Sequence, residues 1–144
     1  MFKKILVPID VDYPKTAAAV LNKTVEYVKP TDAQIRLVSV MSGFGMPIVA
    51  SYIPKKVRKK ATERFKKSLD QFIEANCDKS VSYCMRTGKA SEEIIKEAEK
   101  WGADLIVVYH NHRGNLNESF SVSCSHRVAD QAKCSVLRLR NILS

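Results

Sequence analysis

The sequence predicts an α/β protein, a three-layer α/β/α sandwich around a five-stranded parallel sheet. Short continuous runs of branched apolar residues recur along the chain, and such runs are typical of strands buried on both faces. Between them lie amphipathic segments whose apolar residues recur three and four positions apart, which is typical of helices. Strand and helix alternate throughout, which indicates parallel strands joined by right-handed crossover helices that cover both faces of the sheet.

The first strand is predicted at residues 4–9, a continuous apolar run that ends at Asp10. A helix is predicted between Pro14 and Pro30, because proline suits the first turn of a helix and cannot continue one at its end. The second strand is predicted at residues 35–40.

An irregular connection over residues 41–54 follows, since glycine and proline interrupt the pattern there. The longest helix is predicted at residues 55–76, and the third strand at residues 81–86. Ser91 is predicted to cap the N-terminus of the next helix, and Gly102 to end it.

The region from Asp104 to Arg140 has a fourth strand, a polar loop, a serine-rich helix entry at Ser121–Ser125, a fourth helix and a fifth strand. A strand that leads through a loop to a helix N-terminus is where α/β proteins hold anions, because unpaired N–H groups and the helix dipole point there. This loop has one glycine, Gly114, where phosphate-binding loops have several. The pattern therefore predicts the fold and leaves the activity of the site open.

Composition places the chain among ordinary globular proteins of one domain, with no apolar run long enough to span a membrane. The N-terminus has no signal-peptide pattern, so a cytoplasmic location is expected. The four cysteines form no CxxC motif and are expected to be free thiols.

The net charge of +9 is uneven, because residues 55–67 contribute +7 of it. This segment has one acid, Glu63, and eight basic residues: Lys55, Lys56, Arg58, Lys59, Lys60, Arg64, Lys66 and Lys67. A solvated helix face is the favoured interpretation, and nucleic acid is not an expected partner. The alternative is a polyanion or nucleic-acid binder that uses this helix.

Four segments, in chain order, carry a family resemblance: Lys4–Asp10 (KILVPID), Arg86–Ile95 (RTGKASEEII), Trp101–Val108 (WGADLIVV) and Lys133–Leu137 (KCSVL). They resemble universal stress proteins of the UspA type, over nearly the whole chain, residues 1–144. The segment at residues 46–52 and the pair His112-Arg113 look most like the UspF/UspG-like branch.

The resemblance implies a Rossmann-like sheet of the adenine nucleotide alpha hydrolase type, with strand order 3-2-1-4-5. Its ligand crevice would lie between the loops after strands one and four. It also implies a homodimer formed through the last strand, with no protein partner indicated beyond a second copy.

In the nucleotide-binding branch of the family the crevice holds ATP. Carried over residue by residue, the aspartate after strand one is Asp10, the valine near the end of strand two is Val40, and Gly88 matches a family glycine. His112 lies in the loop that would face Asp10, and Cys124 lies in the helix entry.

The glycines of the family's phosphate-binding motif fall on His110, Arg113 and Val122, and only the terminal serine is retained, as Ser123. Side chains at these positions keep the backbone away from phosphate oxygens. The guanidinium of Arg113 can replace part of this contact, because it donates two hydrogen bonds to one phosphate. Between ATP binding and no binding lies a third outcome, in which the Ser121–Ser125 helix entry binds phosphate, sulfate or chloride and no adenosine binds.

Three sharper hypotheses have weaker support. His110, His112 and His126 suggest a metal site, but no further ligand completes it, so no metal is expected. Cys124 at a helix N-terminus suggests a nucleophile, although its spacing favours the core. Asp10 alone is a general base without a partner, so no catalytic set is complete.

The favoured function is therefore a stress-response binding or regulatory module, with ATP binding weak or absent and at most slow ATP hydrolysis. The first alternative is a functional ATP or AMP binder that uses Arg113 and the Ser121–Ser125 helix entry. The second is the polyanion binder described above.

Overall fold

The computed structural model describes residues 1–41, 52–110 and 122–140. Within these residues the strands are β1 (Lys4–Pro8), β2 (Gln34–Met41), β3 (Ser82–Thr87), β4 (Leu105–His110) and β5 (Ser135–Arg140). The helices are α1 (Pro14–Val28), α2 (Lys55–Asn76), α3 (Ala90–Trp101) and α4 (Val122–Gln131). The alternation predicted from the apolar pattern is confirmed.

The five strands form one parallel sheet in the order β3-β2-β1-β4-β5. The central strand β1 pairs with β2 on one side and with β4 on the other, so Ile5 lies opposite both Ile35 and Leu105. The predicted strand order is therefore confirmed, and β3 and β5 are the edges of the sheet.

Two hydrophobic cores, one on each face of the sheet, make the three layers. Because side chains alternate along a strand, Ile5 and Val7 of β1 lie in one core and Leu6 in the other. Helices α1 and α2 cover the first face, and α3 and α4 cover the second. The predicted α/β/α sandwich is confirmed.

The ends of α3 show one wrong prediction and one confirmed prediction. Ser91 is not the N-cap, since the helix begins at Ala90 after Lys89. Ser91 is instead buried in the first turn. Gly102 does end the helix, at φ 80°, a left-handed conformation that glycine adopts without a steric cost.

The helical spacing of apolar residues favours burial of Val25 and Val57, but both are exposed. In α1 the neighbouring residue Thr24 is buried in place of Val25. The Thr24 hydroxyl donates a hydrogen bond to the carbonyl of Val20 at 2.9 Å, so the buried polar group has a partner. Val57 lies in the first turn of α2 and is 51% exposed. Periodicity alone does not reveal either exception.

All four cysteines lie among the described residues, and none of them forms a disulfide bond there. Among the described residues, no helix is both long enough and apolar enough to cross a bilayer.

Candidate functional site

The candidate site lies at the carboxyl edge of the sheet, between β1 and β4. Strand order reverses there, because the chain leaves β1 toward β2 on one side and later enters β4 on the other. Open α/β sheets bind ligands at such switch points. Asp10 lies at this edge, as the sequence predicted, and Tyr109 near the end of β4 lies there as well.

Asp10 is held by its own turn. Its carboxylate Oδ1 accepts the backbone N–H of Asp12 at 3.0 Å, and its carbonyl accepts the N–H of Tyr13 at 3.1 Å. These bonds turn the chain from β1 into α1, since an Asp side chain that bonds two residues ahead mimics a backbone turn. The Asp10 side chain is half-buried and preorganised at the mouth of the crevice.

A second carboxylate, Asp12, stands beside it. Partial desolvation, and then the negative charge of Asp10, raise the pKa of Asp12 above its ordinary value. The mouth of the crevice is therefore locally negative on this side, which disfavours an anion next to Asp10.

A small pocket lies behind Asp10, between the end of β1 and the first turns of α1. It encloses about 20 Å³, and its walls are mainly apolar. The aromatic side chains of Tyr13 and Tyr109 line it together with Ile9 and Ala17. A cavity of this size holds about one water molecule.

The N-terminus of α4 is tied to the end of β4. The Ser125 hydroxyl donates to the carbonyl of Tyr109 at 3.2 Å, and both residues are buried. Val122 is the first residue of the helix and Ser123 is exposed in its first turn. The predicted helix entry therefore does reach the crevice edge, where His110 ends β4.

Cys124 faces the core of the α3–α4 side and packs with Val128. Burial raises the pKa of the Cys124 thiol to about 11, and the charges of Arg127 and Lys89 oppose this only in part. The thiol is therefore protonated at neutral pH, which disfavours the nucleophile hypothesis because the thiolate is the reactive form.

Val40, in β2, and Gly88, directly after β3, lie at the same sheet edge as Asp10. In the strand order, β2 and β3 lie on the side of β1 opposite to β4. Val40 is buried in the core under α3. Gly88 has φ 143°, its N–H donates to the carbonyl of Met41 at 3.1 Å, and an added Cβ would meet Glu93 Cγ at 3.1 Å. These contacts provide a conformational reason for glycine at this position.

Two predicted site residues, His112 and Arg113, lie outside the described residues, as does most of the polar loop. His126 is exposed on α4. Within the part of the chain that the structure describes, no group of three or more His, Cys, Asp or Glu side chains is placed to hold a metal ion.

Sequence reasoning missed a charged cluster beneath α3. Glu97 is almost fully buried, and its Oε1 accepts from Arg86 Nη1 at 3.1 Å. Its Oε2 lies 3.4 Å from Arg36 Nε, and Arg86 Nε also donates to Glu93 at 3.2 Å. The signal was an arginine in the middle of an apolar strand, at position 36. This cluster joins β2 and β3 to α3 through ion pairs.

The sheet order and the helices on both faces define a Rossmann-like α/β domain. The chain matches the model of the universal stress protein family over residues 1–140 and belongs to that family. The family prediction from the sequence is confirmed, while the branch within the family stays a prediction.

Two relatives span almost the same length. Universal stress protein A homolog 2 of Coxiella burnetii is 29% identical, over 96% of this chain and 95% of the relative. Universal stress protein YxiE of Bacillus subtilis is 27% identical, over 97% of this chain and 100% of the relative.

Solved structures of low sequence identity share the fold. Universal stress protein UspA from Lactobacillus plantarum superposes with a TM-score of 0.65 at 18% identity, covering 96% of this chain and 97% of its own. A universal stress protein in complex with cAMP gives 0.58 at 15%, covering 96% and 97%. The protein from Archaeoglobus fulgidus in complex with dAMP gives 0.57 at 15%, covering 94% and 96%.

Proposed function

We propose that this universal stress protein is a binding or regulatory module of the stress response, one domain over residues 1–144, and not an enzyme with turnover. Its crevice corresponds to an adenine-nucleotide site and binds ATP weakly or not at all. The cytoplasmic location expected from the sequence stays part of this proposal.

The pocket beside Asp10 is the main support. Small-molecule sites commonly enclose about 300–1,000 Å³, whereas this pocket encloses about 20 Å³ between Tyr13 and Tyr109. A purine base entering at this point has to displace an aromatic side chain from the core, because Tyr109 is only 6% exposed. That displacement costs free energy that nucleotide binding has to supply.

The entry to α4 supports the same reading. Helix α4 starts at Val122, so a branched residue stands where the family motif has a glycine. A branched side chain there limits how closely phosphate oxygens approach the first N–H groups of the helix. Asp10 and Asp12 add negative charge on the opposite side of the crevice.

A functional adenine-nucleotide binder is the second candidate. Its support is that two proteins of the same fold were solved with cAMP and with dAMP. In this case Arg113 and the Ser121–Ser125 segment take the part of the missing glycines. Asp10, at the mouth of the crevice, would then contact the nucleoside.

Thermal melts at matched ionic strength distinguish the two candidates. Ligands are ATP with Mg²⁺, AMP, pyrophosphate and sulfate. A ligand at one hundred times its dissociation constant adds about 2.7 kcal/mol to stability, which is about 9 °C for a chain of this length. We expect small and equal shifts for all four ligands.

Two aspartate variants make the result specific. Asp10→Asn changes the crevice, and Asp32→Asn makes the same change at an exposed site before β2, at the opposite edge of the sheet. An ATP shift well above the sulfate shift, lost in Asp10→Asn and kept in Asp32→Asn, would establish the second candidate and overturn the first.

Homodimer formation through β5 is also part of the proposal. Strand β5 is a sheet edge, and Leu137 on it is 36% exposed between Val136 and Arg138, which are half-buried. We expect a dimer mass by light scattering, and a monomer for Leu137→Glu, since a charge at that position opposes pairing of two edges. A dimer mass for both proteins would assign the interface elsewhere.

A further inference from the structure

A second pocket lies at the amino edge of the sheet, opposite to the crevice beside Asp10. Helices α3 and α4 both end there, and β4 and β5 both begin there. The pocket encloses about 340 Å³, which is within the range of small-molecule sites. The structure describes residues 90–110 and 122–140 without a break, so the two connections that form this pocket are fully described.

Small and apolar residues form most of its walls. Ile95 and Ala98 belong to α3, and Ala132 directly follows α4. Gly102 leaves its part of the wall open, because an added Cβ there would meet nothing within 4 Å. Cys134 also lines the pocket, and burial raises the pKa of its thiol, so it adds no charge at neutral pH. These walls suit an apolar chain.

The backbone at this pocket offers acceptors rather than donors. The N–H groups of Gly102 and Ala103 both donate to the carbonyl of Ala98, at 3.0 and 2.9 Å, and the N–H of Ala132 donates to the carbonyl of Val128 at 3.0 Å. These donors are therefore used within their own helix ends. The last carbonyls of a helix have no such partners within it, and its C-terminus carries about half a negative charge. Two helix ends at one pocket favour a cation and disfavour an anion.

The chain itself places ammonium groups at these helix ends. Lys4 Nζ donates to the carbonyl of Trp101, the last residue of α3, at 3.2 Å. At the pocket, Lys133 Nζ lies 3.5 Å from a carboxylate oxygen of Glu99. The side chains of Lys133 and Glu99 are 83% and 48% exposed, so this ion pair is weak and opens at little cost. The Glu99 carboxylate can then accept another ammonium group.

We propose that this pocket binds a primary alkyl ammonium ion, whose charged group takes the place of Lys133 beside Glu99. Its alkyl chain lies against Ile95, Ala98 and Ala132. A primary ammonium group has three N–H donors, which matches a carboxylate next to helix carbonyls. Quaternary ammonium ions are typically held by aromatic cages, and none of the described residues that line this pocket is aromatic. The ligand class is therefore a protonated aliphatic amine, at a site separate from the crevice and independent of the nucleotide function.

Amide NMR spectra of the full chain, recorded during a titration with hexylamine at pH 7 and constant ionic strength, test the proposal. We expect saturable shifts at Gly102, Ala103 and Ala132, and none at Asp12 and Tyr13 beside the crevice. Butylamine should bind about fourfold more weakly for each methylene that it lacks. Hexanol, hexanoate and hexyltrimethylammonium should each bind more weakly than hexylamine.

Two charge variants should change the affinity for hexylamine in opposite directions. Glu99→Gln should weaken binding by about twofold to fivefold, whereas Lys133→Gln should strengthen it by about twofold to fivefold, since the competing ammonium group is removed. The matched controls are Glu74→Gln and Lys79→Gln, at exposed positions in α2 and in the connection before β3. Both controls should leave the affinity unchanged. Unchanged thermal melts for all four variants confirm that no result reflects unfolding.

Four outcomes would overturn the proposal. Tighter binding of hexanoate than of hexylamine would reverse the charge of the ligand. Weaker binding of hexylamine by Lys133→Gln would show that Lys133 does not compete for the site, and equal changes in the control variants would assign binding to net charge alone. Absence of saturable shifts at Gly102, Ala103 and Ala132 would exclude the pocket as an amine site.

Discussion

The buried carboxylate Glu97 provides the sharpest test of how this fold is held together. We consider the substitution Glu97→Gln, which keeps the shape of the side chain and removes its charge. Oε1 accepts from Arg86 Nη1 at 3.1 Å, and a glutamine carbonyl can still accept there. The contact of Oε2 with Arg36 Nε at 3.4 Å is ionic rather than a well-aligned hydrogen bond, and an amide nitrogen there would oppose it.

The magnitude follows from burial. Removing one partner of a buried ion pair costs about 3–5 kcal/mol. The side chains of Arg36 and Arg86 are 26% and 21% exposed, so water partly resolvates them and lowers the cost. We expect about 2–3 kcal/mol lost from the free energy of unfolding, because one hydrogen bond survives. At about 0.3 kcal/mol/K for 144 residues, this lowers Tm by about 7–10 °C.

Urea unfolding at one fixed protein concentration measures this loss, and Glu99→Gln is the matched control. Glu99 lies on the same helix, but its pair with Lys133 is solvent-exposed, at 48% and 83%. Its substitution should cost less than about 0.5 kcal/mol. Equal effects of the two substitutions, or a loss below 0.5 kcal/mol for Glu97→Gln, would refute the reasoning.

Three further predictions concern other groups. With a pKa of about 11, Cys124 should alkylate about 300-fold more slowly at pH 7.5 than a free thiol, with a rate that rises until about pH 11; a plateau below pH 9 contradicts this. Because the folded pKa of Asp12 is raised, its charged form costs stability above the unfolded pKa. Asp12→Asn should therefore stabilise at pH 7, with the gain vanishing below about pH 4; a constant gain across pH in urea unfolding would exclude the linkage. Gly88→Ala should destabilise more than Gly102→Ala, since both have positive φ but only Gly88 has a side chain within 4 Å of the added Cβ; equal urea midpoints argue against this.

Much of the fold was predictable because it depends on local pattern. A strand buried on both faces has to be apolar at consecutive positions, so β1 and β4 are visible as runs. A helix that rests on a sheet has to be apolar at three- and four-residue spacing, and Gly102 marks an end that few other residues adopt. Ser91 shows where this reasoning fails, because a serine suits both a cap and a buried first turn, and only packing decides between them.

The position of the site was predictable from the sequence, but the size of its pocket and the contacts between distant side chains were not. The place of Asp10 follows from the rule that ligands bind at the carboxyl ends of parallel strands beside a switch point, which requires only the strand order. The narrowness of the pocket does not, because it depends on how Tyr13 and Tyr109 approach each other from elements that are distant in sequence. The same holds for Glu97, whose two arginines come from β2 and β3.

The sequence by itself determined the alternation of strands and helices, the family and the concentration of charge at residues 55–67. These properties follow from the order and chemistry of neighbouring residues. Only the tertiary structure decided which face of each helix is buried and how little space remains behind Asp10. These properties depend on the relative length and placement of elements, and packing between distant residues determines both.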